Sequence, residues 1–197
     1  LFLFFFFIKK YYFCVSIIQK TKMESHFSET YHRITEDHLP WYAVKLYSTR
    51  IYAARDFLQD NGFTVFMPEN LINIQDADGH HKEVLRPVVN NLLFIKKDKE
   101  DRAIQNSLTK TELKMALVRS YPAATHYAEI PAMEMREFMM MCNPEITYKC
   151  FISSEEVKLK PGDPVRVLYG PLKGMRGRLV RKSKKYYLLK EVPGMGV

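Results

Sequence analysis

Catalysis or metal binding needs donors or a nucleophile clustered beside a base, and this 197-residue sequence offers few such sets. Its six histidines contain no H-E-x-x-H pattern. His80-His81 follow Asp76 and Asp78, which are the right donor types for a metal. Asp78-Gly79 is a turn signal, however, and a polar hairpin tip accounts for the same residues. Cys14, Cys142 and Cys150 form no C-x-x-C pair, which argues against a zinc ribbon and a disulfide framework and fits a reducing, cytoplasmic setting. There is no nucleophile elbow and no phosphate-binding GxxxxGK loop. Glu155-Glu156 reads as a solvated linker. No catalytic residue, cofactor or metal is expected, and the chain is not read as an enzyme.

The chemistry the sequence does offer is attraction for phosphate. From Lys160 to Lys190 there are ten Lys or Arg and one acid, Asp163, a local charge of +9 in a chain of net +8. The rest of the chain is close to neutral, so the charge is concentrated in one segment. Tyr169, Tyr186 and Tyr187 lie among the basic residues and could stack on bases. Arg176, Arg178 and Lys182 are the candidate nucleic-acid contacts. A solvated lysine face that keeps a small domain soluble is the other reading, and both stay open here.

The elements beneath that charge are short strands. Pro161-Gly162-Asp163 signals a turn, Val165–Leu168 a β run, and Leu179-Val180 the start of another. Gly170, Gly174 and Gly177 recur between them, with Lys173 inside the interval. Glycines so spaced suggest a backbone that turns sharply or is closely approached. Gly162, Asp163, Gly170, Lys173, Gly174 and Gly177 together resemble a KOW motif, which implies a small SH3-like β-barrel. A five-stranded barrel needs one more strand than the residues after Tyr186–Lys190 and Pro193–Val197 allow, so an incomplete barrel is expected.

Upstream, Trp41–Tyr47 reads as a strand with Tyr42, Val44 and Leu46 on one face. Ser48 or Thr49 would cap a helix with the stripe Ile51, Ala54, Leu58, ended by Asn61-Gly62. Phe63–Met67 is a strand stopped by Pro68. Leu71–Gln75 and His80–Leu85 form a hairpin about the Asp76–Gly79 turn. Asn91–Lys96 and Met115–Val118 are further strands, and Asp101–Leu108 is a short helix. Pro131 opens a helix whose Met135, Phe138, Met139 and Cys142 recur at helical spacing, and core packing is expected of them. This order is an α+β sandwich.

That arrangement resembles the amino-terminal domain of the NusG family of transcription elongation factors. Trp41-Tyr42-Ala43-Val44 is similar to the family's opening strand, Phe66-Met67-Pro68-Glu69 to the end of its second strand, and Pro87–Ile95 to the strand after the hairpin. The chain is thus expected to hold an NusG-type α/β sandwich at 41–143, a linker at 144–157 and a KOW domain at 158–197. Residues 23–40 read as a flexible arm. Residues 1–22, rich in Phe, Ile, Lys and Tyr, read as a leader ahead of a start at Met23. Lys9-Lys10 split their apolar run too early for a membrane span, and no signal-peptide order is present.

The resemblance implies RNA polymerase as partner, bound at its clamp helices through Tyr42, Tyr47, Phe66 and Pro68. It implies Rho or a ribosomal protein as a partner of the KOW domain. The NLLFI strand and the terminal EVPGMGV run resemble those of UpxY-type paralogues, which implies antitermination at surface-polysaccharide operons. An RNA-binding KOW module of the ribosomal or translation type is the alternative.

Overall fold

The computed structural model describes residues 3–8, 11–16, 30–31, 33–75, 79–143, 152–153, 162–168, 174–182 and 185–196. β1 (Leu3–Ile8) and β2 (Tyr11–Ser16) pair antiparallel. The main sheet begins with β3 (Trp41–Leu46), whose alternating side chains serve two cores. Tyr42, Val44 and Leu46 face one core, Trp41 and Ala43 the other. α1 (Ile51–Asp60) follows, and Ile51, Ala54 and Leu58 are its buried stripe, as the sequence predicts. It ends at Asn61, with Gly62 at φ +73°. The expected cap at Ser48 or Thr49 is corrected. Arg50 holds the cap position and no side-chain oxygen bonds the helix end there.

β4 (Val65–Phe66) is shorter than the apolar run predicts. β5 (Glu69–Gln75) and β6 (His81–Pro87) make a hairpin in full register, with Leu71 opposite Leu85 and Ile72 opposite Val84. Asp76 and Asp78, which follow β5 in the sequence, lie outside the described residues. β7 (Leu92–Lys96) is buried along its whole length, because both of its faces are covered. α2 (Asp101–Thr109), β8 (Met115–Leu117), β9 (Glu129–Ile130) and α3 (Ala132–Cys142) complete the unit. The sheet order is β4-β7-β3-β8, all antiparallel, with β9 also paired to β3.

α1 and α2 pack on the Tyr42 face, α3 on the Trp41 face. The result is an α+β sandwich with helices on both sides. Met135, Phe138, Met139 and Cys142 are all buried, so the methionine stripe is core.

Beyond α3, β10 (Ile152–Ser153) lies within the stretch read as a linker. β11 (Asp163–Arg166), β12 (Arg176–Lys182) and β13 (Lys185–Leu189) form one three-stranded sheet. β14 (Glu191–Val192) and β15 (Met195–Gly196) form another with β10, in the order β10-β15-β14. Ile152–Ser153, in the segment ahead of the glycine motif, pair antiparallel with Met195–Gly196. Gly177 shows why that spacing is glycine-rich: a Cβ there would sit 2.5 Å from the Leu189 carbonyl oxygen on the neighbouring strand.

Candidate functional site

The most elaborate aromatic assembly lies on the Trp41 face of the sheet. Phe66 on β4, Phe94 on β7 and Phe138 on α3 form a triangle of rings. Their centroids are 6.3 Å apart for Phe66–Phe94, 6.3 Å for Phe66–Phe138 and 5.3 Å for Phe94–Phe138. The last two are tilted or edge-on arrangements that aromatic quadrupoles favour. Register fixes this grouping, because Phe66 pairs directly with Phe94. Phe94 and Phe138 are fully buried, while Phe66 is half-buried at the edge of the sheet. Pro68 is buried beside it, and its carbonyl accepts a bond from the Val88 N–H at 2.9 Å.

Two segments flanking the sandwich close over this assembly. On one side stands the arm before β3, where Thr30, Tyr31, Arg33 and Ile34 are helical. Tyr31 stacks edge-on against Phe66 at 6.1 Å and 89°, and Ile34 packs in the same cluster. Burial, with Cys142 and Glu69 nearby, pushes the Tyr31 phenol up to about 12. On the other side, Met175, just before β12, and Val192 and Met195, on β14 and β15, are buried in the same cluster.

The four residues that the family resemblance proposes do not share one surface. Phe66 and Pro68 are neighbours. Tyr42 projects from the opposite face of the sheet and is 1% exposed. Its hydroxyl faces two carboxylate acceptors, Asp101 Oδ1 at 2.8 Å and Glu129 Oε1 at 3.1 Å. Lys97 binds the same Glu129 and reaches Asp101 at 3.2 Å. Burial, then the two carboxylates, raise the Tyr42 pKa well above the usual phenol range, against the pull of Lys97. The Lys97 hydrogen bond in turn holds Glu129 below the ordinary carboxylate value. Tyr42→Phe is expected to cost about 1–2 kcal/mol by removing a charge-assisted hydrogen bond, measured by urea unfolding. Tyr47 is 66% exposed at the far end of β3, with Lys45 Nζ 5.9 Å from its ring centroid.

Of the glycine-motif residues, Gly162 precedes β11, Asp163 opens it, Gly174 stands in the turn before β12 and Gly177 lies within β12. Gly170 and Lys173 lie outside the described residues. Arg176 is exposed on β12, whereas Arg178 is held by Glu191 at 2.8 Å. Lys182 ends the same strand.

The pattern of the family described as transcription termination factor NusG matches residues 39–139, just over half the chain. The chain belongs to the NusG family. It therefore stands among transcription elongation and termination factors, a non-enzymatic family that acts with RNA polymerase. No curated protein matches the sequence. The NusG domain is the sandwich itself, from the residues before β3 to α3. Tyr31 and Ile34 on one side, and Met175, Val192 and Met195 on the other, lie outside the matched residues. Among the described residues, no helix is long and apolar enough to cross a membrane.

Sequence reasoning missed the two lysines that join the flanking segments to the NusG domain. Lys96 and Lys190 are the buried charged side chains among the described residues, at 8% and 7% exposure. The signal for Lys96 is visible afterwards: it ends an unbroken apolar run, NLLFIK, on a strand covered on both faces. Lys190 carries no such signal, because it closes a basic stretch that reads as a solvated face.

Proposed function

We propose that this chain regulates transcription elongation by binding the clamp of RNA polymerase through the Phe66–Pro68 edge of its NusG domain. The observation that carries the reading is Phe66: a half-buried aromatic on an edge strand, held from behind by Phe94 and Phe138. An aromatic anchor supported on rigid elements contributes binding energy at small entropic cost. No catalysis is required. A factor that prefers the closed-clamp state shifts polymerase away from pausing by the difference in its affinity for the two states. The finer assignment is antitermination at surface-polysaccharide operons. It rests on the likeness of NLLFI and EVPGMGV to UpxY-type paralogues.

The test is retention of core RNA polymerase by the full chain and by a Phe66→Ala variant checked for folding. Retention by wild type, reduced at least tenfold in the variant, is expected. Equal retention by both would move the contact to another surface. Tyr42→Phe serves as the control, since Tyr42 lies on the other face and should leave retention unchanged.

A further inference from the structure

We propose that Arg166 and Arg176 together hold one phosphate of a nucleic-acid backbone, on the face of the β11-β12-β13 sheet that also carries Tyr187. The site is separate from the polymerase contact at Phe66 and does not depend on it. It starts from a pairing that sheets ordinarily avoid. Arg166 on β11 stands directly opposite Arg176 on β12, and both are exposed. Residues opposite each other in an antiparallel pair share a face, with Cβ atoms about 4.5–5.5 Å apart, and like charges there repel. Among the described residues, neither arginine has an ion-pair partner. The stretch that joins them, 167–175, holds no acid and adds Lys173. The neighbouring cations are treated differently: Arg178 is paired with Glu191, and Lys190 with Glu137. The fold thus neutralises the adjacent charges and leaves the facing pair for an anion from outside.

Arg166 is already positioned for that role. Its Nε donates to the Gly174 carbonyl oxygen at 3.3 Å, and its Nη2 lies 3.9 Å from where a Cβ of Gly174 would stand. One N–H of the guanidinium's five is used, and the rest of the fork stays available. Beside Arg176 opens a surface cleft of about 250 Å³. Of the two carboxylates that line it, Glu191 is committed to Arg178 and Glu134 forms no ion pair. Alternation along β12 puts Arg176, Arg178 and Val180 on one face, and the half-buried Tyr187 pairs with Val180. A guanidinium fork suits phosphate and carboxylate alike. Two forks and an aromatic on one face, in a segment of local charge +9, fit a polyanion with stackable bases better than an acidic peptide.

The experiment follows binding of a fluorescent single-stranded oligouridylate to the full chain by anisotropy, at a series of salt concentrations. Arg166→Gln and Arg176→Gln should each weaken binding about tenfold, the size of one charge-assisted contact. The double variant should lose less than the product, because both arginines hold one phosphate. Its slope of log affinity against log salt should be shallower by about 0.7, the value for one phosphate of a single strand. Glu134→Gln should tighten binding. Lys110→Gln removes an equal charge at the exposed end of α2 and should leave affinity and slope nearly unchanged. Both arginine substitutions should also raise the melting temperature of the free chain, since they relieve a repelling pair, which separates lost binding from a lost fold. Equal weakening by Lys110→Gln would reduce the segment to a diffuse positive field and overturn the proposal, as would a wild type that does not bind. Displacement of the oligonucleotide by inorganic phosphate, where chloride at the same ionic strength leaves it bound, would assign the pair to free phosphate instead. Arginine variants that keep the oligonucleotide but lose polyglutamate would assign the face to an acidic protein, and overturn it too.

Discussion

Phe94→Ala should cost about 3–5 kcal/mol, the range for removing a fully buried aromatic side chain from a packed core. The site favours the upper end. Phe94 is 0% exposed on β7, the strand between β3 and β4 and covered on both faces. Its ring meets both Phe66 and Phe138, so truncation removes two sides of the aromatic triangle at once. Neighbouring backbone is held in register by ladders on either side and has little freedom to collapse into the space. Against a total stability of about 5–15 kcal/mol, such a loss leaves the domain marginal. Chemical denaturation followed by far-ultraviolet circular dichroism measures it. Phe66→Ala should cost less, since Phe66 is half-buried, which is why it suits the binding test and Phe94→Ala does not.

Gly194→Val should release the carboxy-terminal sheets while the NusG domain stays folded. Two effects act together there. Gly194 has φ +102°, a conformation in which a β-branched residue is strained by about 1–2 kcal/mol. A Cβ at Gly194 would also stand 2.9 Å from both methyl carbons of Leu92, and overpacking of that kind costs about 1–3 kcal/mol. Leu92 opens β7, so the clash falls where the Pro193-Gly194 turn meets the sheet. The wild-type turn needs a residue without a side chain on both counts. Hydrogen exchange should show lost protection at Val192 and Met195 and retained protection along β3 and β7. Loss of protection throughout would mean that the two parts fold as one cooperative unit.

Much of this fold was legible locally. The alternation of Tyr42, Val44 and Leu46, the stripe Ile51, Ala54, Leu58 and the buried methionines of α3 all follow from period and residue type. Grouping residues across strands did not. Tyr42 and Phe66 look alike as aromatic strand residues near apolar runs. They fall on opposite faces because Tyr42 and Val65 both pair with Ile95, whereas Phe66 pairs with Phe94. Register is a long-range property, set by the whole sheet and not by either strand. β10 was missed for a related reason: two residues in a polar stretch make no pattern, and Ile152–Ser153 become a strand only against Met195–Gly196. In the candidate site, Phe66 and Pro68 were readable from the family's strand end. Their covering by Tyr31, Val192 and Met195 was not.

The pairing of β10 with β15 also sets an order of events during synthesis. The NusG domain is complete at Cys142, the end of α3, and domains generally fold from the amino terminus as they emerge. The sheet that carries Val192 and Met195 cannot form until Met195–Gly196 have been made, because β15 is its middle strand. At about 5–20 residues per second, the intervening stretch of roughly fifty residues takes about 3–10 s. The arm is made before the sandwich, and the carboxy-terminal cover well after it. Each nascent chain therefore passes through a short period with the Phe94–Phe138 side of its aromatic cluster uncovered.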